Sequence, residues 1–425
     1  MKIDRFLLRS GDIERDSFIW NMAGSVLVAF QSVIMLMIIT RTSGLEDAGI
    51  LTIAYANANL FLAIGKFGMR NFQVSDVKGQ FTFGDYFLSR VFSTVAMLAV
   101  SVAYILYMRF SYGYTTEKTM VIIWMCLQKS IDAVEDVYHG LYQRLGRLDV
   151  AGKCLSLRLA ATILIFGAGL VILRELLTSL VIATVCSAVL FALFTASTYG
   201  AFSEDRLQPK GRSVALLLRL CLPLCVGSFL TFYIGNAPKY AIDKVLTDEL
   251  QACYGFIAMP VFVIGLLNSF IFNPILHKMS VLWNEGKIKE FVKRVVIQIG
   301  VVAAITLVCI LGAYLLGVPV LSWLYHTDLT DFKTELLILL LGGGFLGLSG
   351  LLNAINTIIR QQKKLMWGYV GVSILALVFS DRVVTKYEIY GASVLYAVLM
   401  GVLCIVFGGI LVGQLIKVKN AALAK

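Results

Sequence analysis

Long apolar stretches alternate with short polar ones along almost the whole chain, and this pattern predicts membrane-spanning helices. A helix that crosses a bilayer needs about 20 mostly apolar residues. The stretch VVAAITLVCILGAYLLGVPVL, residues 301–321, shows no alternation of polar and apolar positions, so it does not fit a strand of a membrane β-barrel. Twelve stretches meet the length requirement, near residues 17–39, 48–67, 84–107, 118–140, 152–173, 175–199, 213–242, 250–275, 292–322, 335–357, 365–381 and 389–415.

Lysine and arginine concentrate in alternate connections between the predicted helices. The connection at 276–291 is rich in them, for example, whereas the one at 174 holds a single arginine. Positively charged loops stay on the cytoplasmic side of a membrane, so both chain ends are predicted to be cytoplasmic. The first 18 residues lack the apolar core and small-residue cleavage site of a secretory signal, and we expect the first helix to be retained.

The longest polar connector in the middle of the chain, GAFSEDRLQPKGR at residues 200–212, divides the twelve helices six and six. We therefore predict an all-α integral membrane protein with an N-terminal bundle at 1–199, a cytoplasmic linker at 200–212 and a C-terminal bundle at 213–425. Transporters are often built from two such halves, with the substrate held between them near the bilayer midplane.

Composition agrees with a membrane protein. The chain is 59 % hydrophobic and 15 % charged, with a mean hydropathy of +0.83, whereas soluble domains are about 45–50 % apolar and about 25 % charged. Its net charge of +11 is explained by the topology signal and by attraction to anionic lipids, so no nucleic-acid partner is predicted.

Metal and nucleotide chemistry find no support in the sequence. The eight cysteines lie in or beside the apolar stretches, and the three histidines are scattered, so we predict no metal site and no cofactor. No GxxxxGK[ST] phosphate-binding loop is present, which argues against ATP hydrolysis by this chain. Energy would come from an ion gradient, the membrane potential or another subunit.

One predicted helix carries an unusual number of charges, in LQKSIDAVEDVYHGLYQRLGRLD at residues 127–149. At 100° per residue, its polar side chains from Lys129 onward fall within one arc of about 120°. Lys129 lies near the middle of the span, where a charge costs at least ~2.5–3.5 kcal/mol, so it should be paired or lie in a wet cavity. Asp132 and Asp136 are its natural partners. We expect the three residues at the cytoplasmic end, His139, Arg144 and Arg147, to be solvated.

Two further cations enter the first bundle from the same side. Arg90 and Arg158 lie one to two turns inside their helices, and each could either extend to the membrane surface or line a cavity. Lys153, closer to a helix end, is expected to reach the surface. If Arg90, Lys129 and Arg158 converge, they form a basic vestibule that favours a phosphate-bearing anion, because the planar guanidinium suits phosphate.

Four segments of the sequence resemble the Wzx-type polysaccharide flippases of the multidrug/oligosaccharidyl-lipid/polysaccharide (MOP) exporter superfamily. These are NAPKYAID at 236–243, AxY at 252–254, FNPIL at 272–276 and QRLGRLDVAGK at 143–153. The resemblance implies a V-shaped, MATE-like pair of six-helix bundles in the bacterial cytoplasmic membrane. It also implies a transporter, not an enzyme, that moves undecaprenyl-diphosphate-linked oligosaccharides from the inner to the outer leaflet for surface polysaccharide synthesis.

The same resemblance bears on residues and partners. Lys239 and Tyr240 are expected to bind substrate together with Arg90, Lys129 and Arg158, although a structural role at a helix end is the alternative for the 236–243 segment. Expected partners are the lipid-linked oligosaccharide, membrane lipids, and polysaccharide polymerase and assembly proteins. Asp132, Asp136 and Asp243 are candidates for coupling transport to a proton or sodium ion, because a buried acid can titrate near neutrality.

Three alternative functions remain open from the sequence. A drug/cation antiporter of the same superfamily would share the architecture but line its cavity with acidic or aromatic residues. A flippase for the peptidoglycan precursor typically has two more helices. A membrane glycosyltransferase or polymerase would need acidic catalytic residues on large outer loops, and the outer loops here are short.

Overall fold

The computed structural model describes residues 2–76, 79–202 and 210–423. Side chains are described in these ranges except at 2–3, 266, 268–274, 277, 419 and 421–423. Residues 203–209 of the predicted linker and the side chains at 272–274 of the FNPIL segment therefore lie outside the described part.

The described residues form helices joined by short connections, and they contain no strand. In chain order the helices are α1 Lys2–Leu8, α2 Ile13–Thr42, α3 Leu45–Lys66, α4 Met69–Ser75, α5 Phe83–Tyr112, α6 Thr116–Arg144, α7 Leu148–Leu173, α8 Leu176–Tyr199, α9 Gly211–Val245, α10 Asp248–Asn284, α11 Ile288–Tyr325, α12 Lys333–Ile358 and α13 Gln362–Leu423. A single 3₁₀ turn, Thr330–Phe332, precedes α12.

The predicted fold class, an all-α membrane protein, is confirmed. Within the described residues, nine helical segments are long and apolar enough to cross a bilayer. Helix α6, with 29 residues, falls outside this group because of its charges, and α10 is a further helix of 37 residues. Helix α13 breaks at Glu388, which has φ 49° and ψ −134°, between the predicted segments 365–381 and 389–415. The helices thus coincide with the twelve predicted stretches.

Close packing divides the chain into two compact units, one up to Phe232 and the other from Tyr233 onward. The division falls inside α9, later than the predicted linker at 200–212. The reason is that the first half of α9 packs on the first unit: Leu217 and Cys221 belong to one apolar cluster with Met69, Phe81, Tyr86 and Val137. We call the two parts unit 1 and unit 2.

A short helix that the hydrophobic pattern does not predict, α4, folds back against α6 in unit 1. The chain turns sharply before it, with Phe67 at φ 51° and Gly68 at φ 66°. A Cβ at Gly68 would lie 2.6 Å from the Leu224 Cβ, so this tight turn requires glycine. The Gln73 amide then donates a hydrogen bond to the Val137 carbonyl at 3.1 Å, which fixes α4 on α6.

Candidate functional site

A face of polar side chains on α6 is buried by the neighbouring helices of unit 1. The helix begins at a Thr115 cap, whose hydroxyl accepts a hydrogen bond from the Lys118 backbone N–H at 3.1 Å. The polar residues then recur every three or four positions and so share one face. They are Gln128, Lys129, Asp132, Glu135, Asp136 and His139; the Asp132 side chain is 16 % exposed and the others are more deeply buried. Buried charges of this kind require partners.

Arg158, from α7, is completely buried and binds two of these carboxylates. Its Nε and Nη2 donate to Glu135 Oε1 and Oε2 at 3.0 and 2.6 Å, a bidentate pair. Nη2 also donates to Asp132 Oδ1 at 2.7 Å, and Nη1 donates to the Ser187 hydroxyl of α8 at 2.9 Å. The guanidinium fork therefore joins three helices. Of the two alternatives for Arg158, extension to the surface or a position inside the bundle, the structure shows the second.

Lys129 lies deep in α6, roughly 22 Å along the helix from its last residue. Its ammonium donates to Asp132 Oδ2 at 3.0 Å and to the Gln31 amide oxygen of α2 at 3.0 Å. It also lies 4.9 Å from the ring centroid of Tyr55 on α3, within the range of a cation–π contact. The predicted partner Asp132 is confirmed by this contact, and Asp132 bridges Lys129 to Arg158.

Arg90, from α5, is the third buried cation. It donates to Asp136 Oδ2 at 2.8 Å and to the Gly65 carbonyl of α3 at 2.8 Å. The other oxygen of Asp136 accepts from Arg70 of α4 at 3.5 Å, and Arg70 makes two stronger hydrogen bonds to the Gln143 amide oxygen at 2.9 and 3.1 Å. Asp136 therefore pairs with two arginines, not with Lys129 as the helix spacing predicts.

All the carboxylates of these pairs lie on one face of α6, in two sets: Lys129–Asp132–Arg158–Glu135 and Arg90–Asp136. We call the six residues together the α6 ion-pair network. Its three positive and three negative charges cancel. Lys66 and Arg70 add two further positive charges that act on Asp136, and Lys66 also acts on Asp132. The predicted convergence of cations is thus real for Lys129 and Arg158, which share Asp132. Each cation, however, has a carboxylate partner, so the cluster is neutral at its centre and basic at its edge.

For Arg90 the structure shows the buried alternative, and the expected surface positions of Lys153 and His139 are wrong. Arg90 is fully buried because Asp136 supplies an opposite charge within the bundle. Lys153 is 3 % exposed, since its ammonium donates to the Arg9 carbonyl and the Ser10 hydroxyl of the N-terminal segment, which covers it. His139 is also buried, with Nε2 3.7 Å from the nearest Glu135 oxygen.

The predicted site residues of unit 2 lie near the end of α9. Tyr240 is buried, and its ring stacks on Tyr233 with centroids 6.0 Å apart and an interplanar angle of 11°. Asp243 is buried one turn further on. Lys239 is half-buried and makes no hydrogen bond or ion pair with a described residue. Unit 2 thus presents a cation without a carboxylate partner in the described chain.

Sequence reasoning missed several members of the unit 1 site. Gln31 could have been found, because it is a polar residue in the middle of the apolar run VLVAFQSVIMLMII. Arg70 falls in the connection between the predicted helices 48–67 and 84–107, because α4 is too short to be recognised from the sequence. Ser187, on α8, carries no signal that separates it from an ordinary helix-packing serine.

No family model and no curated protein matches the sequence. Solved structures match the fold. An inward-facing multidrug resistance MATE family transporter of the MOP superfamily gives a TM-score of 0.69 at 14 % identity, over 93 % of this chain and 96 % of that one. A MATE transporter from Vibrio cholerae in the bent form gives 0.59 at 13 % identity, over 99 % of each chain.

A third structure is a MOP-superfamily transporter from Pyrococcus furiosus. The reverse polarity of its binding pocket suggests a different function for that protein. Its TM-score is 0.57 at 15 % identity, over 100 % of this chain and 99 % of that one. At these identities the similarity establishes the fold of the MATE and MOP transporters for this chain, and not a substrate.

Proposed function

We propose that the protein is a MOP-superfamily transporter that moves undecaprenyl-diphosphate-linked oligosaccharides from the inner to the outer leaflet by alternating access. The fold supports a transporter of this kind, and the Wzx resemblance supplies the substrate class. The observation that carries the proposal is the burial of Arg90, Lys129 and Arg158 inside unit 1. Charged residues inside a membrane bundle are costly, and they commonly mark the pathway of a substrate or ion.

A diphosphate would enter this site by replacing carboxylates as partners of the cations. Asp132 is the carboxylate of the network with the most exposed side chain, at 16 %, and it bridges Lys129 and Arg158. It is therefore the group that an incoming phosphate would displace first. The guanidinium of Arg158, with its planar set of donors, is suited to hold phosphate oxygens in the place of carboxylate oxygens.

Displacement of a carboxylate also offers a means of ion coupling. Asp132 or Asp136, once separated from its cation in a buried site, is destabilised in its charged form and takes up a proton or a sodium ion. Outward transport of the head group is favoured by the membrane potential, at ~2.3 kcal/mol per charge per 100 mV. The coupling ion would then serve to restore the unloaded state.

Unit 2 contributes to the same proposal through α9. Lys239, with no carboxylate partner in the described residues, would bind a phosphate, and the stacked pair of Tyr240 and Tyr233 would contact sugar. Asp243 is the candidate there for binding the coupling ion. The protein would deliver its lipid-linked product to polymerase and assembly proteins in a bacterial cytoplasmic membrane.

A drug/cation antiporter is the second candidate function. The observation that favours it is that Asp132, Glu135 and Asp136 lie on one face of α6, where they would attract a cation once their arginine partners moved. Multidrug transporters are also among the structures with this fold. The two candidates differ in the sign of the transported charge.

The test is transport by purified protein in liposomes. A diphosphate-linked oligosaccharide and a lipophilic drug cation would be measured separately, for wild type, Lys129→Ala and Arg158→Ala. Loss of a charged hydrogen-bond partner should slow lipid translocation by roughly tenfold or more. Lys364→Ala, at an exposed position in α13, is the matched control and should leave the rate unchanged.

Arg158→Lys covers the case in which Arg158→Ala does not fold. This variant keeps the positive charge but loses the planar set of guanidinium donors. It should therefore fold, and it should translocate the lipid more slowly than wild type. Transport of the cation but not of the lipid by wild type would favour the antiporter and overturn the flippase proposal.

A further inference from the structure

The N-terminal segment is fixed to one end of unit 1. Leu7 of α1 is fully buried in an apolar cluster with Tyr142 and Val150. Arg147 donates a hydrogen bond to the Leu8 carbonyl at 2.6 Å, and Lys153 binds the next carbonyl, that of Arg9. This end of the bundle is the one that the lysine and arginine distribution predicts to be cytoplasmic. The segment is therefore a built part of that surface.

The other face of the segment is basic and open. Arg5 and Arg9, one turn apart, are exposed, and neither guanidinium makes a hydrogen bond or an ion pair with a described residue. They line an open cavity of about 390 Å³ together with Phe6, Asp16, Trp20 and Lys153. A second open cavity of about 490 Å³ is lined by Arg5 and Arg9 together with Asp4 and Leu8. We call the two spaces together the Arg5–Arg9 cavity.

The exposed residues of α2 indicate that the Arg5–Arg9 cavity lies at the expected boundary between water and hydrocarbon. Exposed apolar residues begin beside it on α2, where Phe18 is 71 % and Met22 is 50 % exposed. Trp20, in the cavity wall, packs edge-on against Phe6 with ring centroids 6.1 Å apart. Tryptophan at such a boundary is typical of the level of the lipid head groups. A ligand in the cavity would thus have its polar part beside arginines and its apolar part against rings.

The charges of the cavity select an anion. Three cations, Arg5, Arg9 and Lys153, face two carboxylates, Asp4 and Asp16, so the lining is positive on balance. The ammonium of Lys153 is already bound to backbone and Ser10 oxygens. Two free guanidinium groups on one helical face can hold a single phosphate between them. The inner leaflet supplies anionic phosphates at this level of the membrane.

We propose that the Arg5–Arg9 cavity binds the phosphate of an anionic phospholipid of the cytoplasmic leaflet. Arg5 and Arg9 donate to the phosphate, and Phe6 and Trp20 contact the glycerol and the first acyl carbons. The site is separate from the α6 ion-pair network, so the proposal does not depend on the transported substrate. It assigns the N-terminal segment the role of a specific lipid contact on one end of unit 1.

The experiment measures lipid retention by native mass spectrometry of the full chain in detergent. Phosphatidylglycerol and phosphatidylcholine with identical acyl chains are titrated against wild type and against Arg5→Gln/Arg9→Gln. A basic residue near an anionic lipid is worth roughly fivefold in binding, so the double variant should lose the preference for phosphatidylglycerol by about tenfold or more. Both positions are exposed, and the variant should fold normally.

Arg15→Gln/Lys363→Gln is the matched control, because it removes two exposed positive charges outside the cavity. It should keep the wild-type preference. An unchanged preference in Arg5→Gln/Arg9→Gln, or an equal loss in both double variants, would overturn the proposal in favour of general surface charge. Competition by glycerol 3-phosphate at the same concentration as the lipid would overturn the lipid assignment, since a free phosphate would then suffice.

Discussion

The guanidinium of Arg158 binds the carboxylate of Glu135 through two nearly parallel hydrogen bonds, at 3.0 and 2.6 Å, with both side chains removed from solvent. Removing only one member of such a pair is costly, because the other charge is then buried without its partner. The pair connects α6 to α7, and its contribution to the stability of unit 1 can be measured directly.

Glu135→Ala should lower the free energy of unfolding by ~3 kcal/mol, the lower end for removing one member of a buried pair, because Asp132 still binds Arg158. The measurement is unfolding in a fixed detergent with increasing denaturant. Glu117→Ala, at an exposed position of the same helix, should change the stability little. The loss of stability in Glu135→Leu/Arg158→Met should be smaller than the sum of the losses in Glu135→Leu and Arg158→Met measured separately. Additive losses would show that the pair is not coupled.

Asp132→Asn should remove the dependence of transport on an ion gradient, since the amide can no longer gain or lose a proton. A pH difference of one unit is worth ~1.4 kcal/mol per coupled proton, or about tenfold in the distribution between leaflets. The measurement is the distribution of lipid in proteoliposomes with and without the gradient. Glu117→Gln is the control. Should the variant respond to the gradient as wild type does, Asp132 has no part in the coupling.

Gly152→Ala should destabilise unit 1 by separating α2 from α7. A Cβ at Gly152 would lie 2.7 Å from both the Asn21 nitrogen and the Trp20 carbonyl carbon, and backbone atoms cannot move aside as a side chain can. Overpacking of this kind costs ~1–3 kcal/mol. Gly300→Ala has nothing within 4 Å and should be neutral or slightly stabilising in the same unfolding measurement. Equal stabilities of the two variants would contradict the close packing.

Asp76, in the connection after α4, should make the stability depend on pH under acidic conditions. Burial opposes its ionisation, but hydrogen bonds from the Gln80 and Phe81 backbone and the Tyr86 hydroxyl hold the pKa of the carboxyl below its ordinary value. A lowered folded-state pKa gives stability that is present above about pH 4 and is lost as the pH falls further.

The comparison is with Asp76→Asn, which keeps the shape and one acceptor. The variant should be less stable than wild type at pH 7, and this difference in stability should shrink as the pH falls below about 4. Unfolding curves at several pH values provide the measurement. A difference in stability that stays constant down to pH 3 would contradict the assignment of Asp76 as a carboxylate that is ionised in the folded protein.

The helices could be predicted because long apolar runs leave few alternatives in a membrane, and even the break at Glu388 falls between two predicted segments. Within the site, the Lys129–Asp132 contact follows from helical spacing. The pairs Arg158–Glu135 and Arg90–Asp136 join different helices, so their register depends on packing that one sequence does not specify. Helix α4 has only seven residues, too few for a periodic pattern.

All three carboxylates of the α6 ion-pair network belong to a single helix, whereas Arg90 and Arg158 come from the helices on either side of it in the chain. During synthesis α6 therefore enters the bilayer with acidic residues that each cost ~2.5–3.5 kcal/mol near the centre of a lone helix. Arg90 is already inserted at that moment, and Arg158 follows with the next helix. Helices α5, α6 and α7 should thus partition from the insertion machinery into lipid as one folded group.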